Sequence, residues 1–198
     1  MTSILKADNI QDADGNNIIN ESGNTITIGA SGDTTNIIGT LQNNGASVGG
    51  DLTPAFSAYL SANQVASDAS WTKVQCNTEV LDTDGTYDNS SNYRFTPAST
   101  GYYLINGGTT IKFTQNTIVD SYLSIYKNGS QTALSEEYGN DSSKETWRNH
   151  NLSIIVNVTS TSDYYELYAY GDPTSGDVTF AGNSTVQKTF FNAFKLIT

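Results

Sequence analysis

Three aspartates between residues 82 and 88 are the strongest candidates for metal chemistry in this sequence. Asp82, Asp84 and Asp88 lie in the segment DTDGTYDN, and Asn89 follows them directly. Hard oxygen ligands at alternate positions suit calcium, although the glutamate that closes an EF-hand loop is missing. Asp-Gly turns whose side chains cap their own backbone explain the same residues. The segment therefore predicts either a calcium site at these three aspartates or a tight turn, and we expect no other cofactor.

Residue types that catalyse reactions are scarce. The single histidine, His150, lies in a polar segment without a cysteine or serine context typical of a nucleophile, and we expect it to face solvent. Glu136 and Glu137 would need a further carboxylate for glycoside cleavage, and charged pairs of this kind are typical of a solvated surface. Gly-rich phosphate loops and zinc-ligand spacings do not occur in the sequence. We therefore predict no catalytic residue and no enzymatic activity.

Trp147 and Arg148 are the strongest candidates for recognition of a partner. They lie in the polar segment GNDSSKETWRNH, residues 139–150, which the composition predicts to be an exposed loop, and Tyr138 directly precedes it. Tryptophan and arginine are over-represented at binding hot spots. The alternative is that Trp147 packs beneath its own loop. The sequence thus predicts a binding site formed by Trp147, Arg148 and Tyr138.

Charge and composition argue against several classes of partner. The 198 residues carry a formal net charge of -11, with 9 lysines and arginines against 20 aspartates and glutamates. We expect neither nucleic acid nor an anionic membrane surface as partner, because both are negatively charged. The opening residues lack the apolar run of a secretion signal, which predicts a protein made in the cytoplasm without a signal peptide. The single cysteine, Cys76, excludes an intramolecular disulfide and is expected in the core.

Residues 1–50 differ from the rest of the chain. They contain no aromatic residue, and Gly-Asn or Gly-Asp turns are followed by isoleucines in a loose repeat. A unit of this kind cannot bury its apolar face alone, so it must pack on neighbouring units or on other chains. We predict an attachment and trimerisation arm over residues 1–50, with a flexible tether as the alternative. The Gly-rich segment 45–54, closed by Pro54, predicts a hinge.

Residues 51–198 have the pattern of an all-β domain. Short apolar segments alternate with turns rich in Gly, Asn, Asp and Ser, and no stretch keeps a helical period. Predicted strands include residues 55–61, 71–80, 121–127, 151–159 and 189–197. Short strands at this spacing are typical of a sandwich or barrel.

Several motifs of this domain resemble one family, and they occur in its order. The motifs are Gly85-x-Tyr87-Asp88, Phe95-Thr96-Pro97, Gly101-Tyr102-Tyr103, Tyr126-Lys127-Asn128-Gly129, Asp163 to Ala169 and Phe191 to Leu196. They resemble the signature of the complement-1q-type globular head, over roughly residues 52–198. The resemblance implies a jelly-roll β-sandwich, related in shape to tumour necrosis factor, that forms a homotrimer.

Two segments carry apolar side chains on both faces of a strand. Tyr164, Tyr168 and Tyr170 alternate with Tyr165, Leu167 and Ala169, and Phe190 and Phe194 alternate with Phe191 and Ala193. A strand in a monomeric sandwich needs only one apolar face, so a second one predicts another packed surface. In the family that the chain resembles, these strands line a threefold axis. We therefore predict a trimer interface formed by Tyr164, Tyr168, Tyr170, Phe190 and Phe194.

The opening segment SILKADNIQDADGN resembles the starts of structural proteins of tailed phages from aquatic environments. Together with the head, this predicts a virion surface protein, either a tail fibre or spike or a capsid decoration. Its arm would dock on other virion proteins, and its head would bind a host cell-surface glycan or stabilise the particle. The alternatives are a secreted carbohydrate-binding module, which the missing signal segment disfavours, and a glycan-degrading enzyme, for which the head lacks room for a long groove.

Overall fold

The structure is a computed structural model, and it describes residues 9–11, 13–15, 17–22, 25–28, 31–38, 41–43, 46–47, 52–113, 118–139 and 146–197. The chain divides into two compact units, Met1–Gly49 and Gly50–Thr198. All regular secondary structure in the described ranges is β-strand. Within those ranges there is accordingly no helix with the length and hydropathy needed to cross a bilayer.

Eighteen strands occur in the described part of the chain. In order they are β1 Asn9–Gln11, β2 Asn17–Ser22, β3 Thr25–Ile28, β4 Gln42–Asn43, β5 Ala46–Ser47, β6 Ala55–Tyr59, β7 Gln64–Ala66, β8 Thr72–Lys73, β9 Thr78–Asp82, β10 Tyr87–Asp88, β11 Arg94–Phe95, β12 Gly101–Phe113, β13 Ile118–Lys127, β14 Ser130–Tyr138, β15 Trp147–Val158, β16 Tyr165–Pro173, β17 Val178–Phe180 and β18 Phe190–Ile197.

The N-terminal unit contains a three-stranded antiparallel sheet in the order β1-β2-β3 and a separate hairpin of β4 and β5. Ile10 lies opposite Ile19, and Ile19 lies opposite Ile28, so the three isoleucines form one row across the sheet. All three side chains are exposed. The sheet therefore presents an apolar face that it does not cover itself, as the repeat pattern predicts.

The head is a sandwich of two antiparallel sheets. The front sheet has the order β10-β11-β16-β13-β14, with β8 also paired to β16. The back sheet has the order β7-β17-β12-β18-β6-β9, and β15 pairs with β12 along most of its length. β14 is therefore an outermost strand of the front sheet, and β9 is an outermost strand of the back sheet.

The connection between β13 and β14 is the tight turn that Asn128-Gly129 predicts. Both residues have positive φ, 51° for Asn128 and 78° for Gly129, as a type I′ hairpin turn requires. The Asn128 side chain secures the neighbouring strand as well. Its amide nitrogen donates to Asp163 at 2.9 Å, and its oxygen accepts from the Tyr164 N–H at 2.9 Å.

The core lies between the two sheets and follows the alternation of the strands. Tyr165, Leu167 and Ala169 point inward from β16, whereas the even-numbered residues of that strand point outward, as the sequence predicts. Aromatic side chains fill one end, where Phe56 stacks on Tyr87 at 4.5 Å. Each fully buried large apolar side chain contributes about 1.5–3 kcal/mol. The sheets are therefore held together chiefly by these inward faces.

Cys76 is fully buried, as predicted, and burial raises the pKa of its thiol.

The predictions for one strand and one loop need correction. The predicted strand 71–80 is two short strands, β8 and β9, separated by an irregular segment. The predicted loop 139–150 ends early, because β15 begins at Trp147, while residues 140–145 lie outside the described residues.

Candidate functional site

The three predicted calcium ligands make hydrogen bonds within the chain. Asp82 accepts from the backbone N–H groups of Thr86 at 3.0 Å and Tyr87 at 2.9 Å. Asp88 accepts from the next turn through both carboxylate oxygens, and Asp84 accepts from the adjacent Thr83 hydroxyl. Among the described residues, no group of three acidic, histidine or cysteine side chains is placed to hold a metal ion. The geometry is that of the predicted alternative, a capped turn.

Asp88 shows how strongly this turn favours a charged carboxylate. The N–H groups of Ser91, at 2.8 Å, and Ser90, at 3.0 Å, point at the same carboxylate oxygen. These donors hold the pKa of Asp88 far below its usual range, because they stabilise the ionised form. The carboxylates of this segment thus act on the backbone of their own loop.

The predicted recognition residues do not form one site. Trp147 is half exposed at the start of β15, opposite Lys112, whose Nζ lies 4.3 Å from the indole ring centre. Tyr138 is at the end of β14 in the front sheet, where its ring meets the edge of Tyr122 at 5.8 Å. Trp147 and Tyr138 therefore belong to outer faces of different sheets.

Arg148 is 6% exposed, so the prediction that it is an exposed recognition residue is wrong. It lies within β15 and alternates with Trp147, so its side chain points to the opposite face of the strand. Its guanidinium donates to the Glu137 carbonyl at 3.1 Å and lies 3.6 Å from the Glu137 carboxylate. Arg148 thus links β15 to the end of β14.

His150 is also buried, contrary to the prediction that it faces solvent. Its ring nitrogens lie 2.8 Å from the Ser121 hydroxyl and 3.2 Å from the Ser135 hydroxyl. Burial lowers the pKa of His150 below its usual value, since an imidazolium would lose its hydration; nearby Glu137 opposes this effect and Arg148 adds to it. The residue therefore forms a neutral bridge between strands.

The five predicted trimer-interface residues are divided between the two sheets. Tyr168 and Tyr170 lie on the outer face of the front sheet, with Tyr164 just before β16. Phe190 and Phe194 lie on β18, on the outer face of the back sheet. These faces point in opposite directions from the core, so the five residues do not share one flat contact surface.

A cluster of aromatic side chains covers the outer face of the front sheet, and we call it the tyrosine face. Tyr122 packs on Tyr170 at 5.0 Å, and Trp71 packs on Tyr170 at 5.5 Å and on Tyr122 at 5.9 Å, all measured between ring centres. Tyr126 extends the cluster to Tyr168 at 4.3 Å. The full set is Trp71, Tyr122, Tyr126, Tyr138, Tyr168 and Tyr170.

Sequence reasoning missed Trp71, Tyr122 and Tyr126 as members of this cluster. The alternation Tyr122-x-Ser124-x-Tyr126 was a usable signal for an aromatic outer face. The position of Trp71 had no such signal, because it meets Tyr122 and Tyr170 only after distant parts of the chain fold together.

Carboxylates surround one end of the tyrosine face. Asp120 lies opposite both Tyr138 and Asp172 on neighbouring strands, and Glu136 lies opposite Tyr122. The pKa of Asp172 is raised, first by partial desolvation and then by the like charges of Asp68 and Asp120. The Tyr170 pKa is raised by desolvation and by the same carboxylates. This end of the face therefore has a negative potential.

The outer face of the back sheet carries a different pattern. Phe194, Leu104 and Ile155 lie opposite one another on β18, β12 and β15, and we call them the apolar row. Phe194 is 37% exposed and Ile155 is 64% exposed. The next outward-facing row is polar. The amide of Asn106 donates to Asn192 at 2.8 Å and accepts from the Ser153 hydroxyl at 2.6 Å.

Comparison with known proteins supports the architecture and leaves the family open. No protein-family profile matches the chain, and no curated protein matches it. Eiger TNF from S. frugiperda has a similar structure, with a TM-score of 0.54 and 12% sequence identity over 74% of this chain and 94% of that one.

Two further structures are similar at lower scores. Murine APRIL has a TM-score of 0.47 and 14% identity over 72% of this chain and 99% of that one. PRD1 vertex protein P5 has a TM-score of 0.49 and 16% sequence identity over 74% of this chain and 99% of that one. The similarity to Eiger TNF, read with the sheet order, confirms the predicted fold class: the head is an all-β jelly roll of the tumour-necrosis-factor type.

Proposed function

We propose that the chain is a trimeric structural protein of a tailed-phage particle, with residues 1–50 as the attachment arm and residues 51–198 as a surface head. The observation that carries this proposal is the apolar row on the back sheet. Phe194, Leu104 and Ile155 face away from a core that the opposite faces of their strands already complete. Contiguous exposed apolar surface of this kind marks a contact with another protein.

Other apolar side chains continue the surface beyond the apolar row. Leu196 on β18 and Tyr102 on β12 are exposed beside it, and Phe190 lies farther along the same strand. The resemblance to complement-1q-type heads supplies the expectation of threefold symmetry. The predicted interface residues Phe190 and Phe194 belong to this surface, whereas Tyr164, Tyr168 and Tyr170 remain outside it on the front sheet.

The N-terminal unit supports an attachment role by the same physical reasoning. Its row of Ile10, Ile19 and Ile28 is exposed on a sheet of only three strands. A small sheet gains stability when such a face packs on another surface. Other copies of the arm and neighbouring virion proteins are the partners we propose, in agreement with the phage-like opening sequence.

The head would be displayed on the particle, as a fibre or spike tip or as a capsid decoration, and it would act by binding and not by catalysis. Of the two predicted recognition residues that remain exposed, Tyr138 and Trp147, it is Trp147 that lies on the back sheet. It lies about 26 Å from the apolar row, since eight residues of β12 separate Leu104 from Lys112 at about 3.3 Å each. Contact with a host surface at this end would leave the apolar row available for the trimer.

Light scattering of the purified chain tests the assembly on which the proposal depends. A mass near three times 21.3 kDa is expected. A stable monomer at micromolar concentration would contradict the proposal, because the apolar row would then be exposed without a partner. Immunogold labelling of intact particles with an antibody to the head tests the location.

A further inference from the structure

The tyrosine face has two halves with different electrostatic surroundings. In one half, the rings lie beside cations of the chain itself. Lys73 Nζ is 5.8 Å from the centre of the Tyr168 ring, and Arg94 Cζ is 4.6 Å from the ring centre of Tyr164, which lies just before β16 and outside the tyrosine face as defined. Cations are attracted to the negative face of an aromatic ring. Lys73 is held in place by its ion pair with Glu166, so this half is complete without a ligand.

In the other half, the described residues place carboxylates beside the rings but no such cation. Trp71, Tyr170, Tyr122 and Tyr138 contact one another in sequence across the sheet. Around them lie Asp68, Asp120, Asp172 and Glu136. Within the described ranges, the lysine and arginine side chains that lie over aromatic rings lie over rings other than these four. Among the described residues, this acidic half thus combines aromatic rings and carboxylates as the first half does, but without a lysine or arginine over its rings.

We propose that the acidic half of the tyrosine face binds a basic segment of a partner protein, through its lysine or arginine side chains. A bound cation would lie against the rings of Trp71, Tyr170 and Tyr122, as Lys73 does against Tyr168. It would also relieve the repulsion between Asp120 and Asp172, which face each other on neighbouring strands. The face therefore complements positive charge in two ways, through the rings and through the carboxylates.

The dimensions of the acidic half favour a polypeptide over a small ammonium ion. Its four rings extend from Trp71 beside β8, across β16 and β13, to β14. Three spacings between strands amount to about 14 Å, which is the length of about four extended residues. Tyr138 is 66% exposed at one end and Trp71 is partly exposed at the other, so both ends are accessible.

Charge separates this partner from the alternatives. An anionic ligand would be repelled by the carboxylates, and a neutral saccharide would leave the repulsion between Asp120 and Asp172 in place. The inference does not depend on the proposed function. The tyrosine face is on the front sheet, and the proposed trimer contact is on the back sheet, so either can fail while the other holds.

The test measures how a labelled peptide of alternating lysine and glycine binds to the full-length chain. Fluorescence anisotropy at low salt detects the binding. The matched probe is the same peptide with every lysine acetylated. Two variants alter the site, Trp71→Leu and Asp172→Asn. Each has a matched control elsewhere: Trp147→Leu removes the other tryptophan, and Asp84→Asn removes one exposed carboxylate from the loop before β10.

Saturable binding of the lysine peptide is expected, with no binding of the acetylated one. Trp71→Leu should weaken it on the order of fivefold, as the loss of one exposed cation–ring contact implies. Asp172→Asn should weaken it by up to about fivefold, as the loss of one exposed ion pair implies. The two controls should stay within about twofold, and thermal unfolding should show all four variants folded. If Asp84→Asn and Asp172→Asn lost the same amount of affinity for the lysine peptide, binding would depend only on the net charge of the chain, and the proposal would be overturned.

Two further results would also overturn it. One is equal binding of the acetylated and unmodified peptides, since the charge would then be irrelevant. The other is a neutral cello-oligosaccharide that changes the fluorescence of Trp71 in a Trp147→Phe background while the lysine peptide fails to bind. That outcome would assign the face to a neutral glycan.

Discussion

Leu104 and Phe194 lie directly opposite each other on β12 and β18, with both side chains on the side of the back sheet that faces away from the core. Cross-strand apolar pairs of this kind stabilise a sheet, but here Ile155 continues the pair into a row that reaches solvent. The inward residues of the same strands, among them Tyr103 and Ala193, complete the core. The fold of a single chain therefore does not require this apolar row.

Replacing Phe194 by Asp should convert the trimer into folded monomers. The substitution places a carboxylate in the proposed contact, where burying it without a partner costs several kcal/mol, while the core of the single head is untouched. Light scattering should show the mass fall to about that of one chain, and circular dichroism should keep the β signature. Leu134→Asp is the matched control, since Leu134 is exposed on the front sheet. Dissociation by the control as well would remove the assignment of the interface to the back sheet.

Deleting residues 1–50 should leave a folded head that no longer joins the particle. The head has its own core and forms a separate compact unit, so its thermal unfolding midpoint should change by only a few degrees. In the full chain, Ile19→Asp should reproduce the loss of attachment, because Ile19 is central in the exposed isoleucine row. Sedimentation of tagged variants with particles measures both effects. A truncated head that sediments with particles would show that attachment lies in the head.

Asp82→Asn should destabilise the head by about 1–3 kcal/mol, the usual cost of leaving a buried donor unsatisfied. The two carboxylate oxygens of Asp82 accept from different backbone N–H groups, and an amide has only one acceptor oxygen to offer them. Urea denaturation measures the loss, with Asp84→Asn as the control that removes the same charge. Calcium should leave the wild-type midpoint unchanged. A urea midpoint that rises with calcium concentration would instead support the predicted metal site, because a ligand that binds the folded state stabilises that state by mass action.

His150 should make the head less stable in mild acid. Its pKa is lowered in the folded state relative to the ordinary value of 6.5, so unfolding is coupled to proton uptake below that value. The contribution of His150 is fully present above about pH 6.5 and is lost as the pH falls toward the folded-state pKa. If the proton affinity of the imidazole differs tenfold between the folded and unfolded states, the free energy of unfolding changes by about 1.4 kcal/mol.

The measurement is urea denaturation at about pH 7.5 and about pH 5. His150→Gln keeps polar contacts toward Ser121 and Ser135 but does not titrate. It should therefore lose less stability between the two pH values than the wild-type protein does. Equal losses would mean that other groups cause the acid sensitivity. The chain has one histidine, so no second imidazole complicates the comparison.

Patterns within one strand or turn were predictable from the sequence. The alternation over residues 164–170 correctly separated Tyr165 and Leu167 from the outward tyrosines, and Asn128-Gly129 specified its turn. Both features depend on the local backbone. A period of two residues assigns faces, and only certain residues tolerate positive φ at two successive positions.

Features that depend on several strands were not predictable. Arg148 and His150 occur in a segment with a surface composition, yet Glu137, Ser121 and Ser135 supply partners that allow burial. The tyrosine face similarly unites Trp71, Tyr122, Tyr138 and Tyr170 from four separate segments. A single sequence shows which residues face outward, but not which outward faces become neighbours.

The outermost strands of the sandwich have a consequence for how copies of this protein can associate. β14 carries Glu136 and Glu137, and β9 carries Glu79, at the sheet ends where a further strand would otherwise add. Acidic side chains on such strands repel the same strand of another copy and so protect against aggregation and fibril growth. These two edges are therefore disfavoured as contacts between copies, whereas the apolar row on the outer face of the back sheet carries no charge that opposes such a contact. A contact through that face that repeats about a rotation axis closes into an assembly with a fixed number of copies, even at the high local concentrations of a crowded surface.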